Sequence, residues 1–254
     1  MQEESRMQNV SRAGKKGQIT IFIIVGIVML VAVALFVVLR FTGPEESLEL
    51  NVGAVESFVE ECLEKSATDG IKLMAGQGGY ILLPEEYIDT NYSDVPYLYD
   101  EGAILTLSRK QLSEELDSYV NEFVPLCLNN LNAFKDQFDV VIGKPNASSL
   151  INDDNVIMNL QYPVIVSSGD ISRELSKFNT KINVPIGKDF DIVNTIVASI
   201  ADNPNYIDMT LLQEFDVNVT LLPYDENSFL YGIEDPFVIF GDENFKILFA
   251  ARFK

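Results

Sequence analysis

Residues 156–166 read VIMNLQYPVIV, and this stretch decides the fold class. Successive side chains of an extended chain point to opposite faces, so Val156, Met158, Leu160 and Tyr162 share one face of a strand. Comparable runs, rich in Val, Ile and Phe, lie on either side of it. They are FDVVI (138–142), KINVPI (181–186), FDVNVTLL (215–222), SFLYGI (228–233) and FKILFAARF (245–253). YDEN at 224–227 has the composition of a hairpin turn. Most of these strands follow one another without an intervening helix, which predicts an α+β fold with a mainly antiparallel sheet. YILLP at 80–84 adds a short strand candidate.

Three amphipathic helices are expected beside the strands. Over 54–75, Val55, Phe58, Val59, Cys62 and Leu63 follow helical spacing, with Glu56, Glu60, Glu61 and Glu64 on the wet side. Gly76 and Gly78-Gly79 end that helix. A second runs over 109–134, striped by Leu112, Leu116, Tyr119, Val120, Phe123, Cys127 and Leu131. Ser108 is its expected N-cap, and Pro125 is expected to kink or split it. Phe190, Val193, Ile196, Val197 and Ile200 mark the third, closed by Asp202-Asn203-Pro204.

The N-terminal part reads differently. Ile19–Leu39 is ITIFIIVGIVMLVAVALFVVL, uncharged and long enough for a membrane helix at ~20 apolar residues. Arg6, Arg12, Lys15 and Lys16 precede it, and Glu45, Glu46 and Glu49 follow. The positive-inside rule then predicts a single-pass protein of the cell membrane, N-terminus cytoplasmic and the remainder extracellular, with the lipid bilayer as a partner. The expected organisation is a basic segment over 1–17, a transmembrane helix over 18–40, a linker over 41–53 and an extracellular α+β domain over 54–254. Ala32-Val33-Ala34 is formally a secretory cleavage site but lies within the apolar run.

Lys15-Lys16-Gly17-Gln18, set directly before that run, resembles the processing site of archaeal type IV pilin-like proteins. The likeness covers about residues 12–39 and implies cleavage between Gly17 and Gln18, with the apolar segment kept as an anchor or filament helix. Phe22 stands at the fifth mature position, where many pilins carry a Glu that pairs with a neighbouring subunit. The alternative reading, a basic stop before a transmembrane helix, stays open. From GQITIF to the closing FKILFAARF, the chain also resembles membrane proteins of small-genome archaea, a likeness that implies no activity.

The chain carries 38 acidic and 18 basic residues, a formal charge of −20. Five of the bases lie at or before Arg40, so the rest is more acidic still. That charge argues against nucleic acid, whose phosphates require clustered Lys and Arg. Histidine is absent, which removes Ser-His-Asp and Cys-His catalysis and His-ligated zinc. Neither GxxxxGK[ST] nor GxGxxG occurs. Asn152-Asp153-Asp154-Asn155 lacks the glycine and final glutamate of a calcium loop and reads as a solvated turn. Carboxylates are plentiful, but no two stand out as a catalytic pair.

Cys62 and Cys127 are an even count on the apolar sides of two helices, and a disulfide is expected between them. Asn91, Asn146 and Asn218 begin Asn-x-Ser/Thr triplets and are candidate glycosylation sites. Tyr80, Tyr87, Tyr92, Tyr97 and Tyr99 fall in one interval with Pro84 and Pro96, an aromatic loop of a kind that can contact ligands or glycans but more often covers the core. The expected function is non-enzymatic: envelope structure, adhesion or partner binding, with self-association or other envelope proteins as partners and no cofactor or metal. A membrane-tethered sensor or solute-binding domain is the alternative. A carboxylate-dependent extracellular hydrolase is third.

Overall fold

A computed structural model describes residues 25–36, 46–90, 93–204 and 206–253. The chain divides into two compact units, Met1–Ser47 and Leu48–Lys254. In the first, residues 25–36 form a helix, α1, whose twelve residues rise about 18 Å, against the ~30 Å of a hydrocarbon core. Among the described residues no helix is long and apolar enough to cross a membrane. This corrects the expected transmembrane helix over 18–40 and the single-pass topology built on it. Residues 18–24 and 37–40 of that expectation, like Gly17, lie outside the described residues.

The second unit is α+β with two sheets, both mainly antiparallel. Its strands are β1 (Tyr87–Asp89), β2 (Asp94–Asp100), β3 (Ala103–Ile104), β4 (Asp139–Ile142), β5 (Asn146–Ile151), β6 (Val156–Ser168), β7 (Ile171–Ile182), β8 (Asn218–Pro223), β9 (Ser228–Phe240) and β10 (Glu243–Arg252). The helices are α2 (Glu46–Gly76), α3 (Arg109–Leu128), α4 (Ile186–Asp202) and α5 (Met209–Leu212). One sheet runs β1-β2-β10-β9-β8, with β3 also on β2; only the β2–β10 pair is parallel. The other is organised on β6. β7 lies along one edge, while β5 and then β4 share the opposite edge.

The expected alternation in β6 is borne out: Val156, Met158, Leu160 and Tyr162 are all buried. Proline has no N–H for a ladder and is tolerated in strands at irregularities. Pro163 accordingly sits where the β6–β7 register shifts, between Gln161 and Val164, and its carbonyl accepts from the Gly143 N–H at 2.8 Å. The expected strand at 80–84 does not form. The Ile81 and Leu82 N–H groups donate instead to the Glu115 carboxylate at 2.8 and 3.3 Å, so no ladder is needed to satisfy them.

α2 buries Val55, Val59, Cys62 and Leu63 as the spacing requires, and continues to Met74 and Ala75. It begins at Glu46 rather than at 54. α3 crosses it closely at Gly70, where a Cβ would stand 2.8 Å from both Leu116 Cδ1 and Tyr119 Cδ1. The buried line of α3 is Leu112, Leu116, Val120, Val124 and Leu128. Pro125 lies within this helix without ending it. The break falls at Asn129, Asn130 and Leu131, all at positive φ, after which a 3-10 turn runs to Phe134. Asn129 tolerates that backbone as a C-cap; Leu131 is held there by complete burial.

α3 also protects a sheet edge. The Ala147 N–H on β5 donates to Asn121 Oδ1 at 2.8 Å, and the Ser149 hydroxyl donates to the Ser113 carbonyl. An edge capped in this way is not a template for another strand. Ser108 is the N-cap of α3, in a reciprocal capping box with Gln111. We expect Ser108→Ala to cost about 1 kcal/mol. It should lower the urea midpoint with the denaturant slope unchanged.

α4 packs its apolar face, Phe190, Val193, Ile196, Val197 and Ile200, on the first sheet. Its first turn presses on the β5–β6 turn, where a Cβ on Gly187 would fall 2.3 Å from the Asn152 carbonyl oxygen. Arg109 at the start of α3 pins the same corner through ion pairs to Asp153 and Asp191.

Candidate functional site

Strand β9 supplies the most unusual chemistry of the second unit. Tyr231, Ile233 and Asp235 alternate onto its buried face, so an acid occupies a position that the pattern reserves for an apolar side chain. The first turn of α4, which packs against this strand, brings Asp189 into the same interior. Asp189 is 1% exposed and Asp235 6%, and among the described residues they are the buried charged side chains.

The two carboxyls are held differently. Asp235 Oδ1 accepts the Phe237 N–H at 2.8 Å. Asp189 Oδ1 has no hydrogen-bond partner among the described residues, and neither does the Tyr231 hydroxyl. Burial, reinforced by the negative charge of Asp235 and opposed by Lys188, pushes the Asp189 carboxyl up to about 7. Burial alone pushes the Tyr231 phenol up to about 12.

The Asp235–Phe237 hydrogen bond organises a bulge. Asp235 pairs with Phe245 on β10, and the next paired residue on β9 is Ile239, opposite Asn244. Residues 236–238 therefore have no counterpart on β10, and a bulge of this kind redirects side chains. Pro236 needs no hydrogen-bond acceptor, and the Asp235 carboxylate takes the next N–H. Phe237 is thrown outward at 83% exposure, with Ile239 at 74%. β8 pairs with β9 only as far as Glu234 and does not cover this region.

Beyond the bulge the hairpin turns at Gly241, whose φ of +79° suits glycine. Asp242 and Glu243 stand exposed at the turn. Phe240 packs edge-on against Phe245, and Lys72 of α2 lies over its ring at 5.9 Å. An open groove of about 370 Å³ runs between Lys72 and Gly76 of α2 and Phe240, Asp242, Glu243 and Lys246 of the hairpin. Neither buried acid lines it.

The sequence-predicted residues fare unevenly. Cys62 and Cys127 form the expected disulfide, their Cα atoms 5.7 Å apart, and join α2 to α3. Asn146 and Asn218 are exposed at the starts of β5 and β8; Asn91, Gly17 and Gln18 lie outside the described residues. Tyr97 and Tyr99 are buried in β2, and the Tyr80 hydroxyl donates to the Leu105 carbonyl. Tyr87 is exposed, and Tyr92 lies outside the described residues. Gly76–Gly79 is a helix stop in which the Gly79 N–H returns to the Met74 carbonyl. Asp153 pairs with Arg109 in a turn. Among the described residues, no group of three or more potential metal ligands comes together.

Sequence reasoning missed the Asp189–Asp235 pair and the exposed tip. The available signal was the period-two pattern Tyr231, Ile233, Asp235, which continues the strand through a dipeptide that reads as a turn by itself. No protein-family model, curated protein or solved structure matches this chain.

Proposed function

We propose that this chain is a non-enzymatic binding protein, acting in adhesion or envelope structure, that engages its partner through the tip of the β9–β10 hairpin. The observation that carries this reading is the three-residue bulge after Asp235, which sets Phe237 and Ile239 outward beyond the end of β8. Adjacent exposed aromatic and aliphatic side chains are typical interface anchors. Asp242 and Glu243 border them on a chain of charge −20. The complementary partner presents apolar side chains flanked by Lys or Arg. A second copy of this acidic chain meets charge repulsion at the same place. The disulfide suits an oxidising compartment. The burial of Asp189 and Asp235 favours a role inside the fold over contact with substrate.

The test places a photo-crosslinking side chain at Phe237, and separately at the exposed Leu126 of α3, in full-length protein within the cells that make it. We expect a discrete adduct from position 237 only, its captured segment apolar with neighbouring basic residues. Equal labelling at both positions, no adduct at 237, or capture of an acidic segment would sink the reading.

A further inference from the structure

The Asp235 carboxyl braces the bulge that presents Phe237, and it lies on the buried face of β9, the strand on which α4 packs and near enough to Asp189 for its charge to be felt there. Asp189, an interior acid with one partnerless oxygen, is destabilising when ionised near a second acid and much less so when it holds a proton. We infer that Asp189, facing Asp235, is a proton-operated latch between α4 and the β9 bulge, fastened while Asp189 holds its proton and loosened when it ionises. The inference rests on the binding role proposed for the hairpin, and it names what regulates that site: acidity stiffens the tip, and neutrality frees it.

Tyr231 of β9, its buried hydroxyl without a partner among the described residues, and Asp208, the N-cap of α5, also face α4. On the elements packed against α4, Arg109 is engaged by Asp153 and Asp191, Lys246 by Glu234, and Arg252 by Asp100 and Glu86. Asp94 is at the start of β2, Glu243 is exposed at the hairpin turn, and β3 carries no charge. Lys188 precedes Asp189 on α4, is itself exposed, and is the cation that opposes the rise in its proton affinity. Asp235 acts from the facing strand in the opposite sense.

Linkage fixes the form of the response. Opening the latch returns Asp189 to water, where it ionises near pH 4, while closed it keeps its proton to about 7. The opening constant should therefore rise about tenfold per pH unit between those limits and level off above the upper one. The readout is amide hydrogen exchange of the full-length protein between pH 5 and 9, each rate divided by its intrinsic value. We expect that slope in peptides covering 186–194 and 228–246, and a flat profile in α3.

Asp189→Asn should abolish the slope. Asp235→Asn keeps an acceptor for the Phe237 N–H but removes the facing charge, so its levelling-off should move to lower pH. A flat wild-type profile overturns the latch, as does a slope that survives Asp189→Asn or a levelling-off unmoved in Asp235→Asn. The wild-type profile decides the matter even if a variant fails to fold. Crosslinking at Phe237 reports on binding alone, so a flat exchange profile removes the latch and leaves the binding result standing.

Discussion

Replacing both Cys62 and Cys127 with serine should lower the unfolding free energy by about 4 kcal/mol. The two cysteines are 65 residues apart in sequence, and closing a loop of that length removes roughly this much from the freedom of the unfolded chain. Strain relief or residual structure in the reduced state brings the figure toward ~2 kcal/mol. At a few degrees per kcal/mol for a body of this size, the melting temperature should fall by roughly 5–15 °C. Circular dichroism of the oxidised wild type and the double serine variant measures this directly. The bridge ties α2 to the far end of α3, where Phe58 and Phe134 also meet at 5.7 Å, so the loss should concentrate there. Equal stability of the two proteins would mean that helix packing alone fixes that end.

The second large effect has the opposite sign. Asp189→Asn should raise stability at pH 8 by roughly 2–4 kcal/mol, because about three units of displaced proton affinity are involved. The folded state holds a proton on Asp189 up to about pH 7, whereas the unfolded chain releases it near 4. Wild-type stability from this group therefore falls as pH rises between those values and stays low above them. A salt-bridged carboxylate behaves in the reverse way. Asparagine carries no charge to desolvate, so the variant should show none of this decline, and the two proteins should converge near pH 4. Urea titrations at pH 4.5 and pH 8 test it. Curves that stay parallel across that range would show that Asp189 is better solvated than its burial implies.

How much of this was legible in the sequence depends on how local the cause is. The alternation of Val156, Met158, Leu160 and Tyr162 specified β6, and the YDEN turn between β8 and β9 forms with Asp225 Oδ1 accepting the Asn227 and Ser228 N–H groups. Ser108 capped α3 as expected, for its partner is three residues away. Periodicity failed where neighbours distant in sequence decide. Ile81 and Leu82 have strand propensity, but Glu115 satisfies their backbone. Val95–Tyr99 are buried in succession in β2, so no alternation marks them, and Tyr97 and Tyr99, expected in an aromatic loop, are core residues of a strand. β5, NASSLI, has too few apolar residues to announce a strand; α3 and β6 make it one. The candidate site was least legible of all. Asp189 and Asp235 are 46 positions apart, and neither is unusual until α4 lies on β9.

The parallel pairing of β2 with β10 has a consequence during synthesis. Arg252 on β10 grips Asp100 on β2 through two hydrogen bonds and stacks over Tyr97, across a separation of 152 residues. At about 5–20 residues per second a ribosome needs roughly 8–30 s to make that interval. Throughout it, the apolar run Val95–Tyr99 has no β10 to occupy its central edge. The nascent chain thus carries an unsatisfied, aggregation-prone strand until nearly the whole second unit has emerged, which makes its production depend on whatever shields that strand in the meantime.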